Sequence, residues 1–219
     1  MTFEELGLSD QLIKAVKVAG YDTPTEIQIE AIPRILEGKD ILGCAQTGTG
    51  KTAAFALPTI QRLIKTSLRP PRGGKSKSRR GIVHELRCLV LAPTRELAGQ
   101  ISENFREYSH FTRLRQTVIF GGVGPKPQIQ RLQRGVDILI ATPGRLLDLH
   151  GKGHLELDQV QTLIIDEADM LFDMGFIRDL ERIVKLTPPK RQTLLFSATI
   201  PSAVQQEASK WLRNPYSIE

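Results

Sequence analysis

The sequence is poor in cysteine, with only Cys44 and Cys88 among 219 residues, each inside an apolar stretch. That excludes a disulfide framework and a four-cysteine zinc site, and it suits a reducing compartment. Nowhere does an apolar run approach the ~18 residues of a membrane helix. The opening residues Met1 to Leu6 carry Glu4 and Glu5 where a secretory leader would be basic and then apolar. The expectation is a soluble, cytoplasmic protein without membrane contact. Aromatics are scarce at 5%, yet 40% hydrophobic and 25% charged residues are ordinary globular proportions, which excludes disorder across the whole chain. A single domain of this length can bury roughly 70% of its unfolded surface, and no internal repeat of solenoid length is present.

Acid is absent from one stretch in particular. Residues 69–80, RPPRGGKSKSRR, hold six cations and no carboxylate, so they alone carry +6, the formal charge of the whole chain. The rest nets to zero, and an anionic partner for the core must therefore be argued from placed groups rather than from overall charge. This low-complexity piece has too few apolar residues to order itself and reads as a loop, the centre of an insertion over 69–87.

Elsewhere short apolar runs alternate with amphipathic patterns. Strands are expected at 40–45, 87–92, 116–120, 136–141, 160–165 and 192–196, and helices at 51–65, 95–108, 127–133, 144–150, 176–185 and 203–212. Runs such as LVLA (89–92), DILIA (137–141) and TLIID (162–166) are apolar on both faces, as buried parallel strands are. The expected fold is α/β: a doubly wound, mostly parallel sheet with helices on both faces and ligands beyond the C-terminal strand ends.

Two strings at such ends carry chemistry. After the first strand comes Ala45-Gln46-Thr47-Gly48-Thr49-Gly50-Lys51-Thr52. Its glycines let backbone N–H groups turn in around a phosphate at a helix N-terminus, Lys51 can reach the β and γ phosphates, and the Thr52 hydroxyl can ligate magnesium. This is a P-loop, although Ala45 stands where the general pattern has glycine. The second string is Leu163-Ile164-Ile165-Asp166-Glu167-Ala168-Asp169. Two carboxylates closing a buried strand can serve a metal-bound water and an attacking water, with Asp166 on the metal side and Glu167 as base. The plain alternative is that these acids decorate a helix start, where negative charge is mildly favourable.

Asp166 to Asp169 spells DEAD, and the chain resembles the DEAD-box RNA helicases, of a bacterial type. Further matches stand in the family's order: Gly20 to Gln28 (GYDTPTEIQ), Pro93 to Ala98 (PTRELA), Gly121-Gly122, Thr142 to Arg145 (TPGR) and Ser197-Ala198-Thr199. The resemblance covers all but the basic insertion, and the alanine at 45 is what that family uses. It implies a RecA-like ATP-binding domain over 1–219, with residues 1–30 as an adenine-recognition segment. Gln28 then reads the adenine edge, Phe3 stacks on the ring and the backbone near Thr23 completes the pocket. On local physics Gln28 is equally the end of a capping box begun by Thr25, and Phe3 a core residue.

The resemblance likewise implies that Pro93, Thr94, Arg95, Gly121, Gly122, Thr142, Pro143, Gly144 and Arg145 hold single-stranded RNA by its sugar-phosphate chain. It further implies that Asp169, Ser197 and Thr199 couple nucleotide state to RNA. Locally, Thr94 and Thr142-Pro143 also read as helix caps and the paired glycines as a turn. The family's second RecA-like domain brings arginines to the ATP site, and no His-Arg-x-Gly-Arg string occurs in these residues. Arg134 to Asp137 mimics a second-domain motif but precedes TPGR, and it reads as the start of a strand. The expectation is one half of a monomeric ATP-dependent RNA helicase using Mg-ATP. The alternatives are a non-catalytic ATP- or RNA-binding docking module and, less well matched to Gln28 and Ser197 to Thr199, a P-loop kinase or other NTPase.

Overall fold

The computed structural model describes residues 1–46, 48–67 and 85–219. Seven strands form one sheet: β1 (Ile41–Cys44), β2 (Cys88–Leu91), β3 (Gln116–Ile119), β4 (Ile138–Ala141), β5 (Thr162–Ile165), β6 (Gln192–Ser197) and β7 (Tyr216–Ile218). Their order is β3-β4-β2-β5-β6-β1-β7 and every pairing is parallel. The helices are α1 (Asp10–Val18), α2 (Glu26–Leu36), α3 (Lys51–Ser67), α4 (Arg95–Tyr108), α5 (Lys126–Gln133), α6 (Pro143–Gly151), α7 (Ala168–Asp173), α8 (Ile177–Leu186) and α9 (Ser202–Trp211). Among the described residues, no helix is long and apolar enough to cross a membrane.

Strand alternation divides the apolar residues between two cores. Val90, Ile140, Ile164 and Phe196 face one layer, with α1 to α4. Leu89, Leu91, Leu139, Leu163, Ile165 and Leu195 face the other, with residues of α5 to α9. Strands β2, β4, β5 and β6 are buried along their whole length, which is why they read as continuous apolar runs, whereas edge strand β3 alternates. Right-handed crossovers explain the layering. The chain moves from β1 through β2 to β3 in one direction with α3 and α4 on one face. It then returns through β4, β5 and β6 with α5 to α9 on the other.

Each expected strand and helix is present, with boundaries within one or two residues. The structure adds α1, α2, α7 and β7. Helix α2 was legible in outline: Ile27, Ala31, Ile32 and Ile35 are buried at helical spacing behind a Thr25–Gln28 capping box. Helix α7 and strand β7, of six and three residues, are too short for periodicity to resolve. The basic stretch 69–80 lies outside the described residues. Arg87, at the far end of the expected insertion, belongs to the sheet: it is buried and pairs Asp137 at 2.6 Å across the starts of β2 and β4.

Candidate functional site

Register decides which strand ends become neighbours. Cys44 lies beside Ser197, and Ile165 lies between Leu195 and Leu91. The P-loop, Ser197 to Thr199 and Asp166 to Asp169 therefore issue from the adjacent strands β1, β6 and β5. On the other side Leu91 pairs Ala141 and Ala141 pairs Ile119. Thr94-Arg95, Thr142 to Arg145 and Gly121-Gly122 thus issue from the adjacent strands β2, β4 and β3. The C-terminal edge of the sheet is divided into two contiguous halves that meet between β2 and β5.

In the first half the P-loop is tied to its neighbour at its root, where Ala45 N–H donates to the Ser197 carbonyl at 2.9 Å. Thr49 Oγ1 donates to the Gln46 carbonyl at 2.8 Å. Gly48 and Gly50 take φ of +85° and +88°, backbone that a side chain disfavours. At Gly50 space adds a second constraint, because a Cβ there would stand 2.5 Å from Gln28 Nε2 and 3.0 Å from Thr25 Oγ1. Thr47 lies outside the described residues. Lys51 is buried at the head of α3, and its Nζ donates to Glu167 Oε1 at 2.8 Å. That single contact joins the two chemical strings across 116 residues of sequence.

Glu167 reaches Lys51 from a left-handed conformation, φ +51°, which costs a residue with a Cβ about 1–2 kcal/mol. Its own N–H donates to Asp166 Oδ1 at 3.0 Å. Asp166 is 2% exposed. Burial pushes its carboxyl up to about 6 against the pull of Lys51, and the Glu167 charge adds to the rise. A buried carboxylate and the Thr52 hydroxyl are hard oxygen donors, too few to cage a cation alone. Among the described residues no group of three or more His, Cys, Asp or Glu could hold one. The set fits magnesium, which keeps most of its waters and takes one or two protein oxygens together with substrate phosphates.

A clasp closes this half. The Asp169 N–H donates to Ser197 Oγ at 3.0 Å, while Thr199 N–H and Thr199 Oγ1 both donate to Asp169 Oδ2 at 2.9 Å. Burial works to raise the Asp169 carboxyl, but these hydroxyl and amide bonds win and hold it below its ordinary value.

The expected adenine-recognition segment over 1–30 departs from expectation at Phe3. Gln28 is buried and uses both ends of its amide: Oε1 accepts from Thr25 N–H at 3.0 Å, completing the capping box, and Nε2 donates to the Gly50 carbonyl at 3.1 Å. Thr23 is exposed. Phe3, expected as a stacking face, is 3% exposed and packed into the α1 to α4 core. That is a core placement and leaves no open ring. The exposed aromatic is Tyr21, at 40%, with its ring 6.3 Å from that of Tyr108 and the two hydroxyls 3.4 Å apart. Sequence reading passed over it, although it sits inside the quoted GYDTPTEIQ string.

In the second half, Thr94 caps α4 by accepting from Leu97 N–H at 3.2 Å, and Arg95 is exposed beside Glu96. Gly121, Gly122 and Gly144 are exposed, and Thr142 is half-buried with its side chain uncommitted to a cap bond. Pro93 and Pro143 are buried and shape the turns. Arg145 departs from expectation. Its side chain is 11% exposed, and Nη2 donates to the Val123 carbonyl at 2.9 Å, so it braces the loop after β3 instead of facing solvent. Sequence reading also missed Gln128, which clamps the same loop by accepting from Phe120 N–H at 3.2 Å and donating to the Phe120 carbonyl at 3.1 Å.

Comparison with known proteins agrees with this geometry. A family model described as DEAD/DEAH box helicase matches residues 25–207. The chain is 42% identical over 214 residues to "RNA helicase CrhR" of Synechocystis sp., covering 98% of this chain and 40% of that protein. It is 41% identical over 218 residues to "ATP-dependent RNA helicase CshA" of Limosilactobacillus reuteri, covering 100% of this chain and 41% of that one. The chain thus spans about two-fifths of the length of these relatives. Among solved structures, a DEAD box protein from Methanococcus jannaschii superposes with a TM-score of 0.86 at 36% identity, over 100% of this chain and 55% of that one. A hypothetical ATP-dependent RNA helicase from Sulfolobus tokodaii gives 0.83 at 36%, over 97% and 57%.

Proposed function

Because the chain belongs to the DEAD/DEAH box helicase family, we propose that it is the first RecA-like domain of an ATP-dependent RNA helicase. In this reading it binds Mg-ATP on the β1-β6-β5 half of its sheet edge and single-stranded RNA on the β2-β4-β3 half. The observation that carries the reading is the buried Lys51–Glu167 pair at 2.8 Å. A cation on a P-loop helix and a carboxylate on the next-but-one strand share one point, where a γ-phosphate and its attacking water must also meet.

In this reading Gly48, Gly50 and the N-terminus of α3 cradle the phosphates and Lys51 exchanges Glu167 for phosphate oxygen. Glu167, released from Lys51, orients the water and accepts its proton. Thr52 and Asp166 would hold magnesium, which neutralises charge on the β and γ oxygens when bound. Tyr21 offers the open ring for the base, and Gln28 offers its amide at the expense of its bond to Gly50, so that base recognition loosens or sets the P-loop. Thr94, Arg95, Gly121, Gly122, Thr142 and Gly144 supply N–H and hydroxyl donors and one cation to the RNA backbone. Arg145 acts through the loop it braces. The Asp169–Ser197–Thr199 clasp ties the end of β5 to the end of β6 within the nucleotide half, next to the RNA half, and couples the two. A second RecA-like domain supplies the remaining ATP contacts.

The test is a coupled ATPase assay on this chain joined to the second domain of a relative, with and without single-stranded RNA. RNA-stimulated phosphate release is expected. ATP and RNA binding with no stimulation in any pairing would favour a non-catalytic docking module.

A further inference from the structure

Tyr108 closes the C-terminal end of α4 and is 1% exposed, with its ring packed into the α1 to α4 core. A phenylalanine would fill that place equally well, since burying a hydroxyl costs free energy unless it is hydrogen-bonded. Among the described residues its hydrogen-bond partner is Tyr21, whose hydroxyl accepts from Tyr108 Oη at 3.4 Å. Burial pushes the Tyr108 phenol well above its ordinary range and the bond to Tyr21 adds to the rise, so the group stays a neutral donor.

Tyr21 is held through its backbone as well. Helix α1 ends in a Schellman turn: Gly20, at φ +80°, donates its N–H to the Lys17 carbonyl and Tyr21 donates its N–H to the Val16 carbonyl, both at 3.1 Å. The two tyrosine rings stand 6.3 Å apart between centroids with their planes tilted by 54°, a separation at which aromatic pairs attract. Beside them Lys14 Nζ lies 4.5 Å over the Phe111 ring, a second tie between α1 and the segment after α4. A singly exposed tyrosine asks for no explanation. One whose backbone is fixed by a helix stop and whose phenol is fixed by a buried partner does, because ordering an exposed ring costs entropy that a surface residue ordinarily keeps.

We propose that Tyr108 is a positioning residue for base recognition: by ring contact and hydroxyl it fixes the Tyr21 ring, so that the open ring meets adenine already oriented. The proposal rests on the reading of Tyr21 as the ring that takes the base. Preorganisation is the source of the gain, since a stack formed on a fixed ring does not have to order that ring on binding. Tyr108 is buried away from the ligand and acts through Tyr21.

Displacement of a fluorescent ADP analogue from the 219-residue chain, by ADP and by inorganic pyrophosphate, tests it, because pyrophosphate has the phosphates without the base. Tyr21→Ala should weaken ADP about tenfold, as for the loss of a base stack, and leave pyrophosphate unchanged. Tyr108→Phe and Tyr21→Phe keep both rings and remove one hydroxyl each. Either should weaken ADP by about twofold to threefold, the worth of one modest hydrogen bond, again with pyrophosphate unchanged. The variant with both changes should bind ADP no more weakly than either alone, since the two hydroxyls act as a pair. Parental ADP affinity in Tyr108→Phe, with Tyr21→Ala effective, overturns the positioning role and leaves the reading of Tyr21 standing. Equal losses on ADP and pyrophosphate in Tyr108→Phe overturn it too, because Tyr108 would then act through the fold. Losses that multiply when the two Phe changes are combined overturn the pairing. Parental ADP affinity in Tyr21→Ala removes that ring from the nucleotide site and the proposal with it.

Discussion

At the scale of single residues, side chains in this site hold two jobs that substitution can separate. Gln28 caps α2 through Oε1 and steadies Gly50 through Nε2. Glutamate is an equally good capping-box residue but cannot donate, and it would set a buried carboxylate against the Gly50 carbonyl, so Gln28→Glu should keep the α2 cap yet melt below the parent and bind ADP more weakly. Gln28→Ala should lose both affinity and about 1 kcal/mol of stability. Paired melting curves and calorimetric titrations read the difference, and a Gln28→Glu protein with parental affinity would remove Gln28 from the nucleotide site. Glu167 holds Lys51, and in the proposed site it competes there with phosphate. Glu167→Gln keeps an acceptor for Lys51 but removes the charge, so ADP affinity should rise, by up to about tenfold for 1.4 kcal/mol, while turnover in a two-domain protein is lost. Lys51→Ala should abolish tight binding and lower the melting temperature too, since it strands Glu167 as a buried, unpaired charge.

Among elements, the informative contacts are those that fasten one strand end to another. Arg145 on α6 holds the loop after β3 by the Val123 carbonyl, and Gln128 on α5 holds the same loop at Phe120. Removing the brace should loosen the loop without touching the P-loop half. Arg145→Gln is expected to cut RNA affinity several-fold, leave ADP affinity intact and cost about 1 kcal/mol of stability. Arg145→Lys should recover part of the RNA affinity by donating to the same carbonyl. If Arg145 contacted phosphate instead, Arg145→Gln would flatten the salt dependence of RNA binding while Arg145→Lys, which keeps the charge, would not, and a salt series distinguishes the two. The elements themselves were largely legible, because buried parallel strands and one-faced helices write their periodicity into the sequence. The helices before residue 40 went unread although Leu12, Ile13, Ala15 and Val16 are buried in α1. The Thr25–Gln28 capping box did mark the start of α2 in the sequence.

For the whole molecule, the division of the sheet edge predicts what this chain does alone. One half contains the groups proposed to bind Mg-ATP, and the sequence has no His-Arg-x-Gly-Arg string to meet charge on the γ-phosphate. In related NTPases an arginine there is worth roughly 10³ to 10⁵ in rate. Residues 1–219 should therefore bind nucleotide measurably and hydrolyse it very slowly, with little stimulation by RNA and no unwinding of duplexes. Brisk RNA-stimulated turnover by a verified monomer would place the missing groups within this chain.

What the sequence determined by itself is whatever is local or additive. The strands apolar on both faces called for helices on both sides, Gly48, Gly50, Lys51 and Thr52 made a phosphate cradle, and Asp166-Glu167 ended a buried strand with acid. Only tertiary packing decided which of these meet. The strand order β3-β4-β2-β5-β6-β1-β7 separates the proposed nucleotide groups from the proposed RNA groups along one edge, and no stretch of sequence encodes the order of strands. Burial is likewise a property of the whole packing. Phe3 and Tyr21 are both aromatics near the first helices, and Phe3 fills the core while Tyr21 rests on Tyr108 with its ring open. Arg145 and Arg95 are both arginines after a strand, and only the path of the β3 loop turns one inward as a brace and leaves the other exposed.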